Sequence, residues 1–244
     1  MNKASPRHAP PGHRPRGAVS AALIVLYGAL LQILLFAPAA LTQARGEPEM
    51  LTVVALGDSL TAGFGLAREA AFPRQLEAAL RKRGHKVRVI NAGVSGDTTA
   101  AGLARLDWAL GPRADAVILE LGANDALRGL EPGQARANLD AILTRLREKR
   151  IPVLIAGMLA PRNLGPDYAS RFDSIFPDLA KKHGALLYPF FLEGVAGKRA
   201  LNLPDGLHPN ARGVAVIVAR ILPYVEKLLA RAQGRPARRA HKQP

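Results

Sequence analysis

Five short apolar runs, at residues 51–56, 87–91, 116–121, 153–158 and 185–189, constrain the fold of this chain more than any other feature. A strand with one wet face alternates apolar and polar residues, whereas most of these runs are close to continuous, as strands of a parallel sheet covered on both faces are. Helical periodicity fills the intervals, at about 72–83, 98–110, 132–150 and 168–182, and returns from 210 to about 230. Strand and helix in steady succession predict a doubly wound α/β sandwich with right-handed crossovers. Ligands of such sheets bind beyond the carboxyl ends of the strands, so the residues just after each run are the ones to read for chemistry.

The first run passes into Gly57-Asp58-Ser59-Leu60. Serine and aspartate cap helices routinely, so this motif alone is weak. The second enters Asn91-Ala92-Gly93-Val94-Ser95-Gly96-Asp97, whose glycines either bring a backbone N–H close to a ligand or simply make a turn. The third enters Glu120-Leu121-Gly122-Ala123-Asn124-Asp125, where Asn124 offers an amide donor or caps the following turn. Asp205-Gly206-Leu207-His208 precedes the last helical stretch, and Pro209 favours an extended backbone at His208. A hydroxyl is a poor nucleophile at neutral pH unless a base takes its proton. A strand-end serine with a distant Asp/His pair therefore points to acyl transfer.

Nearby residues offer competing readings. Gly93-Val94-Ser95-Gly96-Asp97 has the outline of a nucleophile elbow, but Asp97 stands where that motif needs glycine, so Ser95 reads as a turn residue. Asp97 and Asp125 suggest a carboxylate pair for glycoside chemistry, yet neither has the histidine relation of Asp205. Asp58 reads as a local acceptor that fixes the serine turn.

The 244 residues, 48% hydrophobic, suit one domain with one substantial core. The absence of cysteine removes disulfides, thiolate zinc sites, a cysteine nucleophile and lipoprotein anchoring. Four of the bases lie in residues 1–44 and five in 231–244, stretches without acids, so the net +15 falls to +6 for the body between them. No basic patch in the body is interleaved with an aromatic ladder, which argues against nucleic-acid recognition. The basic end from Arg235 to Lys242 suits either contact with anionic lipid or nucleic acid, or a solvated, disordered tail.

Lys3, Arg7, Arg14 and Arg16 precede an uncharged, mostly apolar run at 18–40, followed by small residues in Ala37-Pro-Ala-Ala40 and Thr42-Gln-Ala44. This is the pattern of a signal peptide cleaved near Ala39 or Ala44, or of an uncleaved anchor that would leave membrane contact through this segment. Either way the positive charges stay cytoplasmic and the body is exported, to the periplasm or beyond. The expected organisation is a leader at 1–44, a catalytic domain at 45–230 and a basic tail at 231–244.

Gly57-Asp-Ser-Leu60, Gly93 within Asn91-Ala-Gly-Val-Ser-Gly96, Gly122-Ala-Asn-Asp125 and Asp205-Gly-Leu-His208 resemble, in order and position, the four sequence blocks of the SGNH, or GDSL, hydrolase superfamily. Gly96-Asp-Thr, Gly102-Leu-Ala-Arg-Leu106, Leu119-Glu-Leu-Gly, Leu127-Arg-Gly and Pro189-Phe-Phe are similar to its bacterial periplasmic subgroup of arylesterases, lysophospholipase L1 and acyl-CoA thioesterase I. The resemblance spans about residues 50–229. It implies the flavodoxin-like fold of that superfamily, a three-layer α/β/α sandwich around a parallel five-stranded sheet.

The resemblance further implies Ser59 as nucleophile, His208 as general base and acid, and Asp205 as the group that orients the imidazole. Oxyanion donors would be the Ser59 and Gly93 N–H groups and the Asn124 amide. It implies no metal or other cofactor. The substrates implied are small acyl esters and thioesters, including aryl esters and lysophospholipids, hydrolysed by a monomer. Activity is expected to rise with pH as His208 loses its proton. Leu60, Phe64, Leu66, Leu159, Phe190, Phe191 and Leu207 are candidates to line an acyl groove, with loops after Gly111 and Met158 shaping it. A carbohydrate O-acetylesterase or acyltransferase of the cell envelope remains an alternative with the same triad, and a non-enzymatic binding module a second.

Overall fold

β1 (Leu51–Gly57), β2 (Val87–Gly93), β3 (Ala116–Glu120), β4 (Val153–Ala156) and β5 (Leu186–Tyr188) pair in parallel in the order β2-β1-β3-β4-β5 in the computed structural model, which describes residues 50–234. The order reverses beside β1, which puts the ligand crevice of a doubly wound sheet at the carboxyl ends of β1, β2 and β3. Gly57 is in register with both Gly93 and Glu120, so the three strands end flush and the residues that follow them stand together. β3 and β4 are buried throughout, as their unbroken apolar runs require. β2, an edge strand, alternates instead and exposes Arg88 and Asn91.

Helices cover both faces. α1 (Ser59–Ala62) follows β1 directly, and α2 (Phe72–Lys82) leads to β2. α3 (Thr99–Ala104) and α4 (Leu106–Leu110) link β2 to β3; α5 (Ala123–Leu127) and α6 (Pro132–Glu148) link β3 to β4. α7 (Pro166–Asp173) and α8 (Ile175–His183) precede β5, and α9 (Ala211–Gln233) ends the described fold. α2 and α9 pack on each other in one layer, while α6 packs on α3, α7 and α8 in the other. The inward stripe of α6 shows how the sequence specifies this: Ala135, Leu139, Ile142, Leu143 and Leu146 recur at helical spacing and are all buried. Each large member contributes about 2 kcal/mol by leaving water.

The structure divides two stretches that periodicity reads as single helices. The stretch 98–110 breaks at Arg105, whose guanidinium turns back to donate to Gly57 O at 2.9 Å and to Asp97 Oδ2 at 2.5 Å. The stretch 168–182 breaks at Ser174, because Pro177 has no N–H to donate to the carbonyl four residues earlier. A further correction concerns the loop after Gly111. It connects a helix to the start of β3, and in a parallel sheet every such loop lies at the amino end, opposite Ser59. Of the two loops expected to shape the acyl site, only the one after Met158 is at the crevice end.

α9 continues to Gln233, beyond the expected end near Ala230, and Arg231 within it donates to Gly184 O at 2.8 Å. The leader expected at 1–44 and the basic residues 235–244 lie outside the described residues. Among the described residues no helix is long and apolar enough to cross a membrane.

Candidate active site

Ser59 is the first residue of α1, set there by a turn packed from below. Asp58 caps the helix, its Oδ1 accepting Leu60 N–H at 2.9 Å. The Asp58 N–H donates to Glu120 Oε2 at 3.3 Å, and the Thr61 hydroxyl donates to the same oxygen at 2.6 Å. One carboxyl group at the end of β3 thus holds the serine turn on both sides. As the first helical residue, Ser59 has no intrahelical acceptor for its own N–H, which leaves that donor at the crevice.

His208 reaches Ser59 from a loop fixed at its base by a bridge between Asn202 and Pro209. The Asn202 amide donates to Val195 O and Lys198 O, each at 2.9 Å. Asn210 caps α9, accepting from the N–H groups of Arg212 and Gly213, both at 3.0 Å. Inside the loop, Asp205 Oδ1 accepts from Leu207 N–H at 2.9 Å and His208 N–H at 3.0 Å, which turns Oδ2 to His208 Nδ1 at 2.7 Å. Those backbone and side-chain hydrogen bonds, led by the one from His208 N–H, hold the Asp205 carboxyl down at about 2. With Nδ1–H donating to that carboxylate, Nε2 presents its lone pair to the Ser59 hydroxyl at 2.9 Å. The Phe64 ring lies against the imidazole, with centroids 4.4 Å apart. A hydroxyl donating to a histidine whose far N–H is held by a carboxylate can act as a nucleophile.

The other sequence candidates occupy the same crevice. The backbone at Gly93 runs so close to α1 that a Cβ would fall 2.3 Å from Ala62 N and 2.8 Å from Asp58 O, so only glycine fits. Its N–H donates to Asn91 Oδ1 at 3.0 Å, while the Asn91 amide donates to Ala62 O at 3.1 Å. The Asn124 amide donates to Asp58 Oδ2 at 3.1 Å and to Asp97 O at 3.0 Å. Both donors therefore have internal acceptors.

The competing candidates have other contacts. Asp125 accepts from the Thr99 hydroxyl at 2.6 Å and Thr99 N–H at 2.8 Å, which ties down the start of α3. Asp97 pairs with Arg105, and Ser95 is an exposed turn residue. Of the groove candidates, Phe64, Leu159 and Leu207 are exposed and Leu66 and Phe190 half-buried. Leu60 and Phe191 belong instead to the core, Phe191 meeting Phe72 edge-on. Val94, Leu127 and Leu130 also expose apolar surface after β2 and around α5. Their signal was the position alone, just beyond strand ends.

Beneath the serine lies a polar cluster that the sequence pattern does not announce. Asp58 and Glu120 are fully buried. Burial, tempered by the hydrogen bonds from Leu60 and Asn124, pushes the Asp58 carboxyl up to about 6. Burial, and then the neighbouring Asp58 charge, pushes Glu120 well above the ordinary carboxylate range. Burial thus favours the protonated form of Glu120, whose Oε2 serves as a hydrogen-bonding strut for the turn above it.

The chain matches the model of the GDSL-like lipase/acylhydrolase family over residues 55–216. It is 41% identical over 182 residues to an arylesterase of Vibrio mimicus, covering 74% of this chain and 89% of that protein. It is 40% identical over 160 residues to the thioesterase 1/protease 1/lysophospholipase L1 of Escherichia coli, covering 65% of this chain and 76% of that protein. Among solved structures it is similar to AlinE4, an SGNH-hydrolase family esterase, at 48% identity and a TM-score of 0.63, over 79% of this chain and all of AlinE4. The expected family and its α/β fold with a five-stranded parallel sheet are thereby established. The chain belongs to the GDSL-like lipase/acylhydrolase family and is a carboxylic ester hydrolase.

Proposed function

We propose that the chain hydrolyses acyl esters and thioesters through an acyl-enzyme on Ser59. The observation that carries this reading is the unbroken relay from Ser59 Oγ to His208 Nε2, 2.9 Å, and from His208 Nδ1 to Asp205 Oδ2, 2.7 Å. Ser59 Oγ attacks the acyl carbonyl carbon while His208 Nε2 takes its proton, and the Asp205 carboxylate stabilises the imidazolium. The tetrahedral oxyanion is met by the N–H groups of Ser59 and Gly93 and by the Asn124 amide, donors worth a few kcal/mol each when preorganised. Collapse breaks the bond to the alcohol or thiol, which leaves with the proton from His208. Water, deprotonated by His208, then releases the acid and restores Ser59.

The substrates are small acyl esters and thioesters with a medium or long acyl chain, lysophospholipids among them, and the working unit is a monomer. Exposed Phe64, against the His208 ring, and exposed Leu207, beside it in the same loop, favour an apolar chain over a sugar. The basic leader and apolar run before the fold support export to the periplasm or beyond. Hydrolysis of p-nitrophenyl esters from acetyl to palmitoyl, with Ser59→Ala alongside, tests the reading. Serine-dependent turnover peaking above acetyl supports it. An acetyl optimum would move the assignment to envelope carbohydrate esters, and unchanged turnover in Ser59→Ala would overturn the triad.

A further inference from the structure

At the amino ends of the strands, opposite Ser59, three arginines from separate segments converge on an open pocket of about 220 Å³. Arg147 comes from the last turn of α6, Arg150 from the turn into β4, and Arg231 from the last turn of α9. No carboxylate lines the pocket. Arg147 and Arg150 pair with no acid among the described residues, and Arg231 donates to Gly184 O. His183 also lines it, with its side chain 2% exposed, Nε2 against Asp140 at 2.6 Å, and Nδ1 buried with no partner among the described residues.

The backbone of Arg150 sets this cluster apart from an ordinary basic surface. Its φ is 56°, and it is the one non-glycine with positive φ among the described residues. It closes α6 in a Schellman turn, with Arg150 N–H donating to Arg147 O at 2.8 Å and Ile151 N–H to Leu146 O at 2.9 Å. The same chain puts glycine at that left-handed position after α2 and α8, at Gly84 and Gly184. Arginine adopts it only against steric resistance. Bases at the ends of α6 and α9 complement the negative helix ends, but that benefit does not require a left-handed backbone at Arg150.

The basic character extends well beyond the pocket. The loops at this end read Lys82-Arg-Gly-His-Lys86, Arg147-Glu-Lys-Arg150 and Lys181-Lys-His183, with Glu148 the single acid in the three; of these bases Arg83 and His85 meet Glu226, Lys149 meets Asp107, Lys182 and His183 meet Asp140, and Lys86 also has a partner. The described fold also begins and ends here. Leu51 N–H meets Lys86 O, and α9 descends from the His208 loop to Gly184. The sequence joined at Met50 contains the apolar run 18–40, and that joined at Gly234 continues with Arg235, Arg238, Arg239 and Lys242.

We infer that the amino-end face of the sheet, centred on Arg147, Arg150 and Arg231, docks on an anionic phospholipid surface, with a headgroup phosphate seated among the three arginines. A bilayer is favoured over a soluble anion because the three arginines come from three separate segments at one end of the sheet, and that is the end where the sequence containing the apolar run joins the fold. Each base near an anionic membrane strengthens binding by about fivefold.

The test is sedimentation of the full chain with phosphatidylcholine vesicles and with vesicles that also contain phosphatidylglycerol, at low and physiological salt. Insertion of the apolar run is blind to headgroup charge, so the zwitterionic vesicles subtract it. The parent should prefer the anionic vesicles, the preference should weaken with salt, and R147Q/R150Q/R231Q should lose about a hundredfold of it while hydrolysing a soluble ester at the parental rate. Arg150→Gly separates the alternatives without risk to the fold: it should raise Tm slightly and still weaken anionic binding about fivefold. The inference is overturned if the parent shows no preference, if the triple variant keeps it, if Arg150→Gly binds as the parent does, or if millimolar inorganic phosphate abolishes the preference by filling the pocket.

Discussion

The two ends of this sheet treat charge in opposite ways. At the carboxyl end Asp58 and Glu120 are buried, and hydrogen bonds hold Asp58, Asp97, Asn124, Thr61 and Arg105 in one cluster beneath a single serine. At the amino end Arg147, Arg150 and Arg231 stand exposed around an open pocket. The difference is one of dielectric. Buried groups act at short range, through hydrogen bonds that fix geometry, while exposed bases act at a distance on partners that arrive from outside. Acyl transfer needs the first kind of charge and surface attraction the second.

Substitutions at the carboxyl end should dominate activity, and the largest effect is expected from Ser59→Ala. Its turnover should fall by at least about 10⁴-fold, measured with a soluble chromogenic ester, with an unchanged Tm. Gly93→Ala comes next. Its Cβ would meet backbone atoms of Ala62 and Asp58 that cannot yield without moving the serine turn. We expect about a hundredfold loss of kcat and a loss of roughly 1–3 kcal/mol of stability by denaturant unfolding. A Gly93→Ala enzyme with parental kcat would break the claim that this end works by exact placement.

Glu120 offers a finer test, because a neutral strut and a charged group predict different rescues. Glu120→Ala strips partners from Asp58 N–H and the Thr61 hydroxyl and should cost roughly 2–4 kcal/mol, whereas Glu120→Gln should keep kcat within about threefold. The folded-state values of Glu120 and Asp58 are both raised, so the folded chain holds protons that the unfolded chain has released. The stability these groups contribute is full at low pH and is lost as pH rises through their folded values. Between about pH 4 and pH 8 the parent should therefore lose more Tm than Glu120→Gln does. Equal slopes would show that Glu120 is ionised in the fold. Asp205 works in the other direction: held at about 2, it stays a carboxylate throughout that window and adds no limb to the pH–rate profile.

The smallest expected effect lies at the amino end. Arg150→Gly should leave kcat and KM unchanged and stabilise the fold by about 0.5 kcal/mol, because glycine meets no steric cost at positive φ. A change in ester hydrolysis there would blur the contrast between the ends; a gain in Tm alone would sharpen it.

How much of this was legible in the sequence follows the same division between local and distant causes. The apolar runs gave away the sheet because burial on both faces leaves a local pattern. Ser59, Gly93, Asn124, Asp205 and His208 stood out because each falls just past a strand or before the last helix. What the sequence hid depends on partners far along the chain. Arg105 breaks a helix to reach Gly57, and Glu120 closes an apolar strand yet supports residues about sixty positions earlier. Asn91 looks like a strand terminus, but its side chain occupies the Gly93 N–H. Arg150 looks like any exposed base at a helix end, since φ has no signature in residue type unless the residue is glycine.

The flush ending of β1, β2 and β3 also sets what this scaffold tolerates under engineering or drift. Loops on either side of the crevice can lengthen, since each begins from a fixed point. A residue inserted within β2 would carry Gly93 about 3.3 Å onward and turn every later side chain of that strand to the opposite face. The strands therefore serve as a gauge, and new specificity in this enzyme is best sought by exchanging loops while the strand lengths are left untouched.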